Sequence, residues 1–429
     1  MKIIQYPDRD SWDSLCKRPS LNKSALEDAV ARILLNVKSS GDRALFEFSE
    51  KLDGVVLKNL RVSDSEITES ANKVPAELRE AIDVAKSNIE KFHQPQLIKE
   101  QVIVTTKGVK CWRKNVPIAR VGLYIPGGTA PLFSTVLMLA VPAKLAGCRE
   151  IILCTPPDKN GNVNPLILYA AYIAGVTDIF RIGGAQAIAA MSYGTETVPK
   201  VDKIFGPGNQ FVTKAKEMVQ LHGIPIDIPA GPSEVLIIAD KNADPTFIAS
   251  DLLSQAEHGT DSQVILLTDT SDLINAVKNE TERQTMLLPR KEIALKALEN
   301  SSLILLKSLS DCIELSNIYA PEHLIISTSD PSLLAEKVTN AGSVFLGKYS
   351  CESAGDYASG TNHTLPTSGY AKNYSGVSAE SFVKKITFQE ISPEGLKNLG
   401  PVIEKMAEAE LLQGHKNSVT IRLKSLGNG

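Results

Sequence analysis

From about residue 118 the chain alternates short, β-branched apolar runs with longer amphipathic stretches. The runs are 121–125, 151–154, 178–182, 203–205, 235–239, 264–267, 303–306, 324–327 and 343–346. Between most of them lie windows of helical period, such as 133–146, 186–193 and 209–221. Strand–helix alternation of this kind predicts βαβ units around mainly parallel sheets. The strands are too many for one mononucleotide-binding half. The pattern therefore predicts an α/β fold of two Rossmann-like βα lobes, with small N-terminal and C-terminal segments. Residues 25–51 and 66–92 read as helical. The last fifty residues, after about Ser378, read as a helix over 392–414 and a terminal strand over 419–423. A tail of that size buries little core by itself and is expected to pack on the main body or on a second subunit.

Composition narrows the class. The chain has 429 residues, 43% of them hydrophobic and 22% charged, as in a soluble globular protein of two or more domains. A net charge of −3 supplies neither the basic stripe of a nucleic-acid binder nor a polybasic membrane anchor. No run of 18 apolar residues predicts a transmembrane helix, and the N-terminal MKIIQYPDRD has no apolar core of a secretory signal. Six cysteines without a C-x-x-C pair read as reduced thiols, so a cytoplasmic location is expected.

Four polar clusters carry candidate chemistry. The first is Ser254-Gln255-Ala256-Glu257-His258-Gly259, on a helix capped by Asp244 and Pro245 and stopped by Gly259. Gln255 and His258 share a face there, where the helix dipole favours a cation. The plainer alternative is a polar helix end. The second is Ala320-Pro321-Glu322-His323, in a helix-to-strand connection. Extended neighbours diverge, so Glu322 and His323 could serve two proton transfers, or be an ordinary loop pair. The third is the small-residue loop from Ser353 to Thr367, with Asp356 a possible ligand and His363 a ligand or a loop fastener. The fourth places Glu410 and His415 on the tail helix, which is otherwise a solvated face. Glycine turns follow several runs, at Gly127-Gly128, Gly183-Gly184 and Gly206-Pro207-Gly208. None spells G-x-G-x-x-G, so the usual dinucleotide fingerprint is absent.

Taken in order, VGLYIPGG, GGAQAIAA, DKIFGPGN, IPAGPSEVLIIAD, LLSQAEHG, APEHL, SAGDYASGTNHTLPT and EAELLQGHKNSV resemble the motifs of histidinol dehydrogenases over nearly the whole chain. The resemblance implies oxidation of L-histidinol to L-histidine through L-histidinal with two NAD, the last step of histidine biosynthesis. It implies one Zn2+ per subunit, held by Gln255, His258, Asp356 and His415. Glu322 and His323 are implied as the catalytic pair. Ser233 and Glu410 are implied as substrate contacts, beside the zinc ligands and His323. Tyr124, Gln186 and Asn209 are implied as NAD contacts. It also implies a homodimer, the terminal segments packing across it, with Glu410 and His415 contributed in trans. On this reading residues 1–24 form an N-terminal segment, and 25–120 with 235–378 the lobe bearing metal and catalytic residues. Residues 121–234 form the NAD-side lobe and 379–429 the tail. Gly414, where alanine is frequent in the family, is expected to loosen the helix end by up to about 1 kcal/mol.

Two other classes compete. A metal-dependent hydrolase or lyase could use Glu322 to activate water without NAD, and the missing glycine fingerprint favours it, while within the dehydrogenase reading a related small amino alcohol is the alternative substrate. A two-lobed ligand-binding protein shares the scaffold but has no need of an acid/base pair beside metal ligands.

Overall fold

The structure, a computed structural model, describes residues 1–18, 23–97, 101–127, 130–229 and 231–427. Gly128 of the first glycine turn and Ala230 of IPAGPSEV lie outside the described residues. In chain order the strands are β1 (Lys2–Gln5), β2 (Ile103–Thr106), β3 (Val109–Pro117), β4 (Arg120–Tyr124), β5 (Glu150–Thr155), β6 (Asp178–Arg181) and β7 (Lys203–Phe205), then β8 (Glu234–Ala239), β9 (Gln263–Thr268), β10 (Ser302–Leu305), β11 (His323–Ser327), β12 (Ser343–Leu346) and β13 (Val383–Ile391). They form a parallel six-stranded sheet in the order β1-β10-β9-β8-β11-β12, a parallel four-stranded sheet β6-β5-β4-β7, and an antiparallel sheet β13-β3-β2. The two parallel sheets give the predicted α/β lobes. Among the described residues no helix is long and apolar enough to cross a membrane.

The chain divides into two compact units, one of Met1–Gln94 with Ile118–Phe382, the other of Pro95–Pro117 with Val383–Gly429. In the first unit β8 sends Val235 and Ile237 into one core of the six-stranded sheet and Leu236 and Ile238 into the other. Both faces are covered, so the strand reads as one continuous apolar run. The N-terminus is not a separate segment, since β1 joins this sheet beside β10. Residues 25–60 also depart from expectation. Val30, Leu34, Val37 and Leu45 pack with Tyr124, Ile152, Phe180 and Ile188, the core of the four-stranded sheet. Their amphipathic stripe named a helix but not the lobe it covers.

In the second unit β3 pairs with β13 from Val109↔Ile391 to Pro117↔Val383, and Trp112 stacks on Phe388 at 5.5 Å. Residues 95–117 thus group with the tail, not with the lobe expected to bear the metal and catalytic residues. Two further expectations fail here. The helix expected over 392–414 ends at Ala409, and after Leu411, at φ 60°, a second helix runs Gln413–Gly427. The strand expected over 419–423 is part of that helix. Val419 is buried and Ile421 exposed, while Leu423 lies against Gly400, so the inward positions recur every four residues. Helical packing overrides the β-branched composition.

Candidate functional site

Helix Pro245–Ala256 connects β8 to β9, so its C-terminus lies beside the N-terminal ends of the strands. Asp244 caps its start by accepting from the Thr246 N–H, with Pro245 at the first turn. Gln255 is buried in the last turn, and His258 follows the helix end with its surface exposed. Helix Glu352–Tyr357 brings Glu352 and Asp356 to the same place, four residues apart on one face. Gly355 makes the approach possible, because a Cβ there would meet the Phe345 ring at 2.8 Å. One ligand atom each from His258, Glu352 and Asp356 lie within 4.8 Å of one another. The buried Gln255 Oε1 and Asp356 Oδ1 make no hydrogen bond to any described residue. A buried acceptor without a donor costs about 1–3 kcal/mol, which a cation in the cluster removes. This oxygen and nitrogen donor set fits zinc and related divalent ions. Glu352, on which Ser254 Oγ donates a 2.7 Å hydrogen bond, was missed in the sequence. Its helical spacing from Asp356 was the available signal.

His323 begins the neighbouring strand β11 and Glu322 immediately precedes it, and both are buried. The Glu234 N–H donates to Glu322 Oε2 at 2.8 Å, and His323 Nδ1 lies 3.1 Å from the Glu234 carbonyl. A carbonyl can only accept, so Nδ1 carries the proton and Nε2 is left as the basic atom. Nε2 stands 3.5 Å from Asp356 Oδ1 without hydrogen-bond geometry. Burial raises the Glu322 carboxyl to about 8. Burial alone lowers His323, but Glu322, Asp356 and Glu352 outweigh it and hold the imidazole well above its ordinary value. These carboxylates keep a proton on His323 unless a cation offsets their charge. His323, His363 and His258 in turn hold Asp356 below the usual carboxylate range despite its burial. Ser233 stands half-buried just before β8, at this same end of the sheet. His363 lies 3.5 Å from Thr135 of helix Phe133–Ala146, and Asn362 donates to the Met138 carbonyl at 2.6 Å. Burial lowers the His363 imidazole. These contacts join the site loop to the lobe of the four-stranded sheet.

That lobe holds a cavity of about 1020 Å³, lined among others by Tyr124, Thr155, Pro156, Gly184, Gln186 and Asn209. It opens at the C-terminal ends of β4, β5 and β7, the usual ligand position of a parallel sheet. Gly206, at φ 119°, is required, since a Cβ would collide with the Tyr124 carbonyl. Tyr124 Oη accepts from the Gly184 N–H at 2.9 Å. The Asn209 side chain accepts from the N–H groups of Phe211 and Val212, capping helix Gln210–Gln220. Its amide nitrogen is the half left for a ligand. Gln186 Oε1 is buried and makes no hydrogen bond to any described residue. The volume and this polar lining fit a dinucleotide. Glu410 and His415 belong to the second unit, where both are exposed.

The family model for histidinol dehydrogenase matches residues 16–423. The chain belongs to the histidinol dehydrogenase family. It is 59% identical over 426 residues to the histidinol dehydrogenase of Bacteroides thetaiotaomicron, covering 99% of this chain and 100% of the relative. It is 54% identical over 415 residues to that of Shigella boydii, covering 96% and 95%. A crystal structure of histidinol dehydrogenase from Elizabethkingia anophelis superposes with a TM-score of 0.97 at 55% identity, covering 100% of this chain and 99% of that one. Membership makes the chain an oxidoreductase of histidine biosynthesis and sets aside the hydrolase and binding-protein readings.

Proposed function

We propose that this chain oxidises L-histidinol to L-histidine through L-histidinal, using two NAD and one divalent cation, zinc, per site. The observation that carries the reading is the set of buried atoms around His323 that make no hydrogen bond to any described residue, namely Gln255 Oε1, Asp356 Oδ1 and His323 Nε2. Gln255, His258 and Asp356 would hold the metal, Glu352 standing among them. Tyr124, Gln186 and Asn209 would hold NAD in the neighbouring lobe. When bound, zinc orients and polarises the amino alcohol and NAD accepts hydride.

The protons fall to the protein. His323 Nε2 takes the hydroxyl proton as the first hydride leaves the carbinol carbon, giving the aldehyde. Glu322 takes a proton from water as that water adds to the aldehyde carbon. His323 then takes a proton from the hydrate as the second hydride leaves. Alcohol, water and two NAD+ give carboxylate, two NADH and three protons. Nδ1, held on the Glu234 carbonyl, keeps Nε2 available in both steps. A second copy of the chain supplies His415 to the metal and Glu410 to the substrate, making a homodimer the working unit. A cytoplasmic location agrees with six free cysteines.

NADH formation from L-histidinol tests the proposal, before and after chelation and zinc add-back. Two NADH per histidinol, lost on chelation and restored by zinc, are expected. One NADH would overturn the role given to Glu322.

A further inference from the structure

Two catalytic candidates hang on one residue's backbone, since Glu234 donates its N–H to Glu322 and offers its carbonyl to His323. The Glu234 side chain is buried and points elsewhere, into a two-point ion pair with Arg18 at 2.6 and 2.9 Å. The Ser368 N–H also donates to it, at 2.9 Å. Arg18 does more than neutralise Glu234. Its Nη2 donates to the Tyr319 carbonyl at 2.8 Å, and its guanidinium lies 3.9 Å over the Tyr319 ring. The next residue, Ala320, adopts φ 54°, a left-handed conformation that a side chain makes costly. That turn delivers Pro321, Glu322 and His323 onto β11. One guanidinium thus grips both supports of the pair, β8 through the Glu234 carboxylate and the entry to β11 through the Tyr319 carbonyl.

We propose that Arg18 and Glu234 are positioning residues that hold the Glu322–His323 pair in register across β8 and β11. Only a planar fork of donors reaches a carboxylate in two places and a carbonyl in a third. Neither side chain touches the reacting atoms. Their effect passes through the Glu234 peptide groups, and it rests on the catalytic reading of Glu322 and His323.

The experiment uses the zinc-loaded enzyme and compares Arg18→Gln, Arg18→Lys, Glu234→Gln and the Arg18→Gln/Glu234→Gln double variant. On each preparation kcat, KM for L-histidinol, zinc content and Tm are measured together. Misplacement of a catalytic group is expected to lower kcat about 10- to 100-fold in both Gln variants. KM and zinc content are expected to stay within about twofold, because ground-state binding is not what is lost. The double variant should be no slower than the slower single one, and Arg18→Lys should recover part of kcat. Unchanged kcat in a folded, zinc-loaded Arg18→Gln or Glu234→Gln enzyme would overturn the proposal. So would a loss of zinc and Tm in step with kcat, the mark of a merely structural ion pair. If Arg18→Gln does not fold, Glu234→Gln and Arg18→Lys decide. Glu322→Gln and His323→Asn are run beside them. Full activity in these two would sink the catalytic reading itself, whereas their inactivity with active Arg18 variants would sink only the positioning role.

Discussion

Glu352 is a buried carboxyl that burial raises to about 8, with Asp356 and Ser254 as its immediate neighbours. Such a group is uncomfortable without a cation and useful with one. Glu352→Gln keeps the shape and the Ser254 contact but removes a charge. Zinc affinity is expected to fall about 10- to 100-fold, measured by competition with a chromophoric chelator. An unchanged affinity would leave Glu352 outside the metal's influence. Gln255, His258, Glu322, His323 and Asp356 stood out in the sequence as candidates because polar residues beside apolar runs are conspicuous, and the family resemblance supplied their proposed roles. The sequence hid Glu352, which reads as an ordinary acidic residue in a first helical turn. It also hid Arg18 and Glu234, whose meeting across 216 positions no local pattern records.

Helices set two further expectations. Asn209 both caps helix Gln210–Gln220 and lines the cavity proposed to hold the dinucleotide. Asn209→Ser keeps a capping oxygen, whereas Asn209→Ala loses it at about 1 kcal/mol. Both variants should raise KM for NAD, but only the alanine should lower Tm appreciably. Equal KM values for both variants and the parent would confine Asn209 to capping. On helix Pro245–Ala256, burial raises the Asp251 carboxyl to about 7. Its folded pKa lies above the unfolded value near 3.9. The associated stability is therefore complete below about pH 4 and is lost as pH rises through about 7. Asp251→Asn should raise Tm more at pH 8 than at pH 5, as followed by circular dichroism. An equal shift at both values would contradict the burial argument. Hydrophobic period found this helix and its Asp244 cap, because local chemistry fixes both. It failed over 419–423, where Val and Ile suggest a strand but a helix partner decides the outcome.

At the scale of the molecule, the proposed site needs two copies of the chain. A His415→Asn subunit retains His323, and a His323→Ala subunit retains His415. Mixed dimers of these two inactive variants should recover part of the activity, since one site per dimer is then complete. Mixed dimers that form yet stay inactive would refute the trans arrangement. The lobes themselves were legible, because repeated strand–helix alternation leaves few alternatives. The partners of 95–117 were not, since β3 pairs with a strand about 266 to 282 residues further on.

Long-range pairing also governs when the enzyme can come into being. Lys2 lies opposite Ser302, and Arg18 waits for both Glu234 and Tyr319. A ribosome adding about 5–20 residues per second needs roughly 15–60 s to travel from the first strand to the tenth. During that interval the N-terminal strand lacks β10, and Arg18 meets Glu234 before the Tyr319 carbonyl that completes its grip exists. The strands of the four-stranded sheet and the core that Val30 to Ile226 build against it are synthesised before the turn into β11, while Ser381 and Phe382, which pack on β7, follow later. Synthesis thus delivers most of the proposed cofactor cradle before the proposed proton-handling pair.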